Sequence, residues 1–352
     1  MGRGKYCYRE VMPFAAMVTV ECTNVGLSTL FKAASSRGLS YQVFIVYSFA
    51  IATLALLPFA FFFHRKTSLP PFNFSLLWRI CLLAILGFSA QMLGFKGIEY
   101  SSPSLGSAIS NLTPAFTFAL AIITRMEKVT LRSASSQAKI LGTIVSISGA
   151  LVVVLYRGPA VLRTPSQSLS LNQPLTSPQS NWALGGLLLT ADYLIISVWY
   201  IFQAQLVRRY PAELLVVCLY SLAVTIISAP VCLLTEPDLN AWKLRADLTL
   251  VAILYSGVIG SSLGTVVHTW GLHLKGPVYV ALFRPLSIGI ATIMGVIFLG
   301  DTLYLGSVIG AIVISVGFYV VIWGKAKEEM GKDVAVSDLE SPNAPLLRSY
   351  PS

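Results

Sequence analysis

Apolar residues along the chain gather into ten long runs separated by short polar segments, at about 12–31, 41–63, 77–98, 104–124, 138–156, 182–205, 213–234, 248–270, 277–299 and 303–323. Each is close to the roughly 20 residues that a helix needs to cross a hydrocarbon layer about 30 Å thick. Lipid offers no hydrogen bonds, so every such run must satisfy its own backbone, and the pattern predicts ten transmembrane helices. The first run follows Arg3, Lys5 and Arg9 and is too long for a signal-peptide core. No small-residue cleavage site follows it clearly, so it is expected to be retained as a signal anchor.

The longest connection, residues 157–181, is rich in Ser, Pro and Gln and divides the runs into five and five. Shifting the chain against itself by 171 places Glu21 on Asp192, Thr19 on Thr190 and Phe31 on Phe202. A shift of 168 places Gly142 on Gly310 and Gly149 on Gly317, and a shift of 174 places Gly97 on Gly271, Pro103 on Pro277 and Glu127 on Asp301. An odd number of spans per copy makes the second copy enter the membrane from the opposite side. The expected fold is therefore an all-α integral membrane protein of ten helices in two inverted five-helix repeats. The repeats span 1–156 and 182–324, joined by an extracytoplasmic linker at 157–181 and followed by a disordered cytoplasmic tail at 325–352. Gly260-xxx-Gly264 and Gly306-xxx-Gly310 are read as helix-packing sites.

Composition removes the soluble alternative. Hydrophobic residues make up 55% of the chain, and the 25 basic and 15 acidic side chains total 40. A soluble chain of this length would carry about a quarter charged residues, roughly 88. The net charge of +10 sits in short loops rather than on one face, which argues against nucleic acid as a partner. With the termini cytoplasmic, 16 basic residues fall in inside segments and 7 in outside ones, so both termini are expected in the cytoplasm. The cysteines Cys7, Cys22, Cys81, Cys218 and Cys232 have no CxxC or disulfide spacing and read as reduced packing residues.

Four stretches carry a family resemblance: SPSLGSAISNLTPAFTFALAIITRMEKV at 102–129, RRYPAEL at 208–214, LYSGVIGS at 254–261 and KGPVYVALFRPLSI at 275–288. They closely resemble the plant nodulin-like, walls-are-thin-related transporters, which are EamA-type members of the drug/metabolite transporter superfamily. The likeness covers roughly residues 11–327 and is extended by the run at 295–328. It implies a ten-helix fold of two five-helix halves and facilitated, often bidirectional movement of amino acids, auxin or related small metabolites. Arg284, before Pro285, stands where many members of that family have Asn.

Ionisable groups at bilayer depth are costly and persist when paired, hydrated or functional. Glu21, Asp192, Arg284 and His268 qualify, and the repeat alignment of Glu21 with Asp192 makes these two the leading candidates for substrate binding or coupling. A fixed ion pair with Arg284 that only locks two helices is an equal reading for one acid. With a single arginine at depth, the other carboxylate must be protonated, partnered by His268 or hydrated. Asn24, Gln91 and Asn111 add amide groups suited to a polar or zwitterionic solute, and interhelical hydrogen bonding is their alternative. Tyr193, Trp199 and Tyr200 could wall an aromatic solute or pack against lipid, and Pro114 and Pro285 are expected to kink the fourth and ninth spans.

No HExxH, GxSxG or phosphate-cradling loop is present, and His268 and His273 are five apart, which is not a same-face helical spacing. The chain is thus expected to be no enzyme, to hold no metal or cofactor, and to have a small-molecule substrate and the lipid bilayer as partners. A nucleotide-sugar exchanger of the same superfamily is the nearest rival, weakened by the single deep arginine; a membrane receptor is a distant one. Glu340 followed by Leu346-Leu347 resembles an acidic dileucine signal, so the vacuolar as well as the plasma membrane is a candidate location.

Overall fold

A computed structural model describes residues 11–35, 37–64, 74–100, 109–110, 112–127, 133–156, 158–162, 182–238, 240–244, 247–287, 290 and 303–340. Within these, the helices are α1 (Met12–Ser35), α2 (Tyr41–His64), α3 (Phe74–Tyr100), α4 (Thr113–Ile123), α5 (Ala134–Leu155), α6 (Trp182–Arg209), α7 (Glu213–Thr235), α8 (Leu248–Leu274), α9 (Pro277–Ala281) and α10 (Leu305–Glu340). Five segments are long and apolar enough to cross a membrane by length and composition, in α2, α3, α6, α7 and α8. Thr113–Ile123 and Val308–Gly324 are shorter apolar helices, and α1 is as long as α2 but carries Glu21, Asn24 and Lys32. Large apolar side chains such as Leu54, Phe62, Leu234 and Tyr319 lie on the exterior, as a lipid-facing surface requires.

Local chemistry sets the helix ends. Arg208 and Arg209 occupy the last turn of α6, where cations suit the negative pole, and Pro211 prevents continuation. The Asp247 side chain caps α8 by accepting from the Thr249 backbone N–H at 2.8 Å. Between α8 and α9, Gly276 takes φ +86°, a conformation open to glycine, and Pro277 then opens α9 with its φ already helical.

The helix contacts obey an internal two-fold. α5 lies along α10, α2 along α7, and α3 packs on α6 as α8 packs on α1. At the α5–α10 crossing, a Cβ on Gly142 would stand 2.6 Å from the Gly317 carbonyl oxygen, and one on Gly149 would stand 3.0 Å from that of Gly310. Save for one short ladder, the chain is a helical membrane fold of two inverted five-helix repeats.

Four features differ from the sequence reading. A short antiparallel ladder joins β1 (Ala160–Leu162), in the linker, to β2 (Leu303–Tyr304), which the pattern assigns to the tenth span. Four spans separate the two segments, so the alternation of spans brings them to the same side. The central part of α8, Ser256–Gly264, is a π-helix, which no periodicity of apolar residues foretells. Pro114 sits in the first turn of α4 rather than inside one continuous helix, with Leu112 in a turn just before it, so its missing N–H has no helical acceptor to lose. Finally, α10 runs to Glu340, past Lys325 where the tail is expected to become disordered, because a helix anchored by the buried face of its first half extends at little nucleation cost. The remainder of the ninth span from 291, and residues 341–352, lie outside the described residues.

Candidate functional site

A cavity of about 430 Å³ opens between the two repeats, lined from α1, α2, α3, α6, α7, α8 and the segment after α9. Its volume falls in the range of small-molecule sites, about 300–1,000 Å³. Asn24, Gln91, Asp192, His268 and Arg284 line it, so the fold brings five of the eight candidate residues to one place. Glu21 lies just behind the wall at 1% exposure, with Oε1 3.7 Å from His268 Nε2. Tyr193 is not among the lining residues; it hydrogen-bonds the Ser110 side chain instead. Asn111 lies outside the described residues.

Each polar group is placed by its helix and a neighbour. α9 stops at Ala281, turns through Leu282 and Phe283, and resumes as a helical turn over Arg284–Ser287. Residues before a proline resist the α conformation, and here the interruption lies just ahead of Pro285. Arg284 is thereby held half-buried, donating from Nε to the Tyr200 hydroxyl at 3.1 Å and acting electrostatically on Asp192 and Glu21. Asp192 has room because Gly94 faces it: a Cβ on Gly94 would stand 2.7 Å from Asp192 Oδ2.

Around these groups runs an aromatic wall. Phe49 of α2 meets Tyr220 of α7 edge-on at 6.0 Å, Tyr220 meets Trp199 at 5.6 Å, Trp199 meets Tyr200 at 5.7 Å, and Tyr200 meets the His268 ring at 6.3 Å. Toward the α1–α2 loop, Phe44 and Phe95 line the cavity and both press on Phe31, at 4.8 and 5.0 Å.

Buried polar groups are normally hydrogen-bonded, and those left over call for an explanation. Among the described residues, both Glu21 oxygens, Asp192 Oδ1, Ser48 Oγ and His268 Nε2 are buried without a hydrogen-bond partner, and all lie on or directly behind the cavity wall. Of these, Asp192, Ser48 and His268 line the cavity itself, and Glu21 lies behind it.

Sequence reasoning missed Ser48, Tyr220, Ser256, Ser261 and Thr265, which also line the cavity. Small polar residues are common in membrane helices, so nothing in the pattern marks these out. Gly260 and Gly264, read as packing glycines, line the cavity too; a Cβ on Gly260 would meet Leu27 at 3.0 Å. Among the described residues no group of His, Cys, Asp and Glu could hold a metal ion, and Cys22, Cys81, Cys218 and Cys232 are free.

Comparison with known proteins gives a consistent result. The model of the EamA-like transporter family matches residues 14–155 and again 183–323. WAT1-related protein At5g40240 of Arabidopsis thaliana is 56% identical over 351 residues, covering 98% of this chain and 94% of its own. WAT1-related proteins At4g15540 and At3g28050 of the same plant are 56% and 52% identical, covering 95% and 98% of this chain and 94% and 98% of their own. A solved structure, described only as the crystal structure of a protein, superposes with a TM-score of 0.64 at 17% identity over 87% of this chain and 98% of its own, a likeness of fold alone.

Proposed function

The chain belongs to the EamA-like transporter family, and we propose that it moves a small organic solute bearing a carboxylate, an amino acid or an auxin-like aromatic metabolite, by alternating access through the cavity around Arg284. The observation that carries this reading is the clustering of polar residues from both repeats around one cavity, with buried acceptors left unsatisfied. Apart from the Nε bond to Tyr200, the guanidinium has no hydrogen-bond partner among the described residues. A carboxylate is the group its fork fits best. Asp192 and Gln91 face the same space and suit a solute's ammonium or amide. Phe49, Trp199, Tyr200 and Tyr220 give an apolar or aromatic body a wall to lie against.

Inverted repeats around a central site suit alternating access because exchanging the conformations of the two halves turns an outward-facing form into an inward-facing one of similar energy. The basic-residue count supports cytoplasmic termini, and the resemblance of Glu340 with Leu346-Leu347 to an acidic dileucine signal keeps the vacuolar membrane beside the plasma membrane as a location. The test is uptake and efflux of a labelled panel in proteoliposomes at two pH values. The panel contains neutral, acidic and aromatic amino acids, indole-3-acetate, and a nucleotide sugar as the rival class. Saturable flux of at least one carboxylate-bearing solute is expected, and flux of the nucleotide sugar alone would overturn the assignment.

A further inference from the structure

The two acids that the repeat relates have unlike surroundings. Asp192 is 5% exposed and lines the cavity, with Oδ1 unpartnered and Gly94 leaving space beside Oδ2. Glu21 is sealed from the cavity at 1% exposure, and His268 lies against it. His268 itself lines the cavity, so the imidazole stands between solvent-accessible space and the closed carboxylate. Its Nε2 and Glu21 Oε1 are 3.7 Å apart and neither has a hydrogen-bond partner among the described residues. A small side-chain movement closes that gap to a hydrogen bond of about 2.8 Å.

We propose that the two acids divide the work: Asp192 receives the cationic or hydrogen-donating group of the solute, and Glu21 carries a proton that reaches it through His268. This rests on the transport reading above. The imidazole takes a proton from water in the cavity and gives its Nε2 proton to Glu21 Oε1. An imidazolium and a carboxylate thereby become a neutral imidazole and a carboxylic acid. The reverse step, with the cavity open to the other side, returns the proton to water. No other reactant is needed.

The groups that bear on Glu21 come from each packed element. His268 reaches it from α8, the Tyr200 hydroxyl acts on it from α6, and Arg284 acts on it from the turn after α9. On α1 itself Asn24 is one turn away. Arg284 is the charged link between the two halves of the site, since its field falls on both Asp192 and Glu21. A solute carboxylate that engages the guanidinium competes with both acids for it, so arrival of the solute is felt at Glu21 as well as at Asp192.

The experiment uses the full chain in proteoliposomes, labelled phenylalanine as the probe, and a trapped pH dye. Wild type is expected to move protons together with phenylalanine and to accumulate it when a proton gradient is imposed. In Glu21→Gln, protons moved per phenylalanine are expected to fall at least tenfold and the pH profile of flux between about pH 5 and 8 to flatten. In Asp192→Asn, KM is expected to rise at least tenfold while the proton-to-solute ratio stays at the wild-type value. His268→Gln, which leaves the carboxylate in place, is expected to lower the ratio as Glu21→Gln does, and it serves if Glu21→Gln does not fold. Wild-type flux without proton movement would overturn the division of labour and leave the transport reading standing. A wild-type ratio in Glu21→Gln or His268→Gln, or an Asp192→Asn effect on the ratio with KM unchanged, would also overturn it. Failure of wild type to move any member of the solute panel would instead remove the transport reading, and this proposal with it.

Discussion

Gly142 of α5 packs against Gly317 of α10, and the internal repeat turns this contact into another that is also present: Gly142 maps onto Gly310 and Gly317 onto Gly149, and Gly310 lies against Gly149. A contact that maps onto its own counterpart is the mark of a two-fold axis passing between the two helices. Small residues at these points let the backbones approach closely, which in lipid is a main source of helix association.

That crossing gives the first prediction. Gly317→Val would push a side chain into the Ser146 backbone nitrogen, against which even a Cβ would stand only 2.5 Å away, and backbone cannot yield as a side-chain tip can. Overpacking of this kind costs about 1–3 kcal/mol, so the purified protein is expected to melt at a clearly lower temperature. Gly149→Val, at the symmetry-related contact, is expected to do the same.

The repeat was legible in the sequence because glycine and acid positions recur at neighbouring offsets. The packing of α5 on α10 was not, since offsets show correspondence between copies and not which helices touch. Asp192, Arg284, His268, Gln91 and Asn24 could be singled out because ionisable and amide groups stand out against an apolar background. The unequal settings of Glu21 and Asp192 were hidden, because they depend on which neighbours arrive from other helices. The π segment Ser256–Gly264 was hidden too, because one extra residue per turn over nine positions leaves no mark on an apolar run. Likewise the β1–β2 ladder is too short to produce an alternating pattern.

Gly94 supplies a second prediction. A methyl group there would press on Asp192 Oδ2, the flexible end of a side chain, and so displace the carboxylate more readily than it would disturb the helices. In Gly94→Ala, flux per folded molecule is expected to fall about tenfold, a change of about 1.4 kcal/mol, with the melting temperature shifted only slightly. Full flux in folded Gly94→Ala would show that the space beside Asp192 has no part in transport, and a large fall in melting temperature would show that the helices rather than the carboxylate yield.

A third prediction concerns the fully exposed cap of α8. Hydrogen bonding from the Thr249 backbone N–H holds the Asp247 carboxyl below the usual carboxylate range. A depressed folded-state value means that the stabilisation is present above the unfolded value and is lost as pH falls through the folded one. Wild type is therefore expected to lose stability on acidification through the carboxylate range. Asp247→Asn, which keeps an acceptor without a titration, is expected to lose less in melts between about pH 5 and 3.

Orientation gives a fourth. With cytoplasmic termini, Asn73-Phe74-Ser75 faces the cytoplasm and the 157–181 linker faces away from it. The native sequon is expected to stay unglycosylated in a yeast or plant cell, while a sequon built into the linker acquires a glycan. A glycan on Asn73 would reverse the topology.

The most direct measurement of the central claim, that the cavity around Arg284 is where a carboxylate-bearing solute is carried, is flux per folded molecule for Arg284→Lys and Arg284→Met beside wild type in proteoliposomes. Lysine keeps the charge and loses the planar fork, so flux of the labelled solute is expected to fall about tenfold or more in Arg284→Lys and further in Arg284→Met, each compared at equal folded protein. Wild-type flux in folded Arg284→Met would contradict the account, leaving Arg284 as a clamp to Tyr200 and placing the solute's path elsewhere.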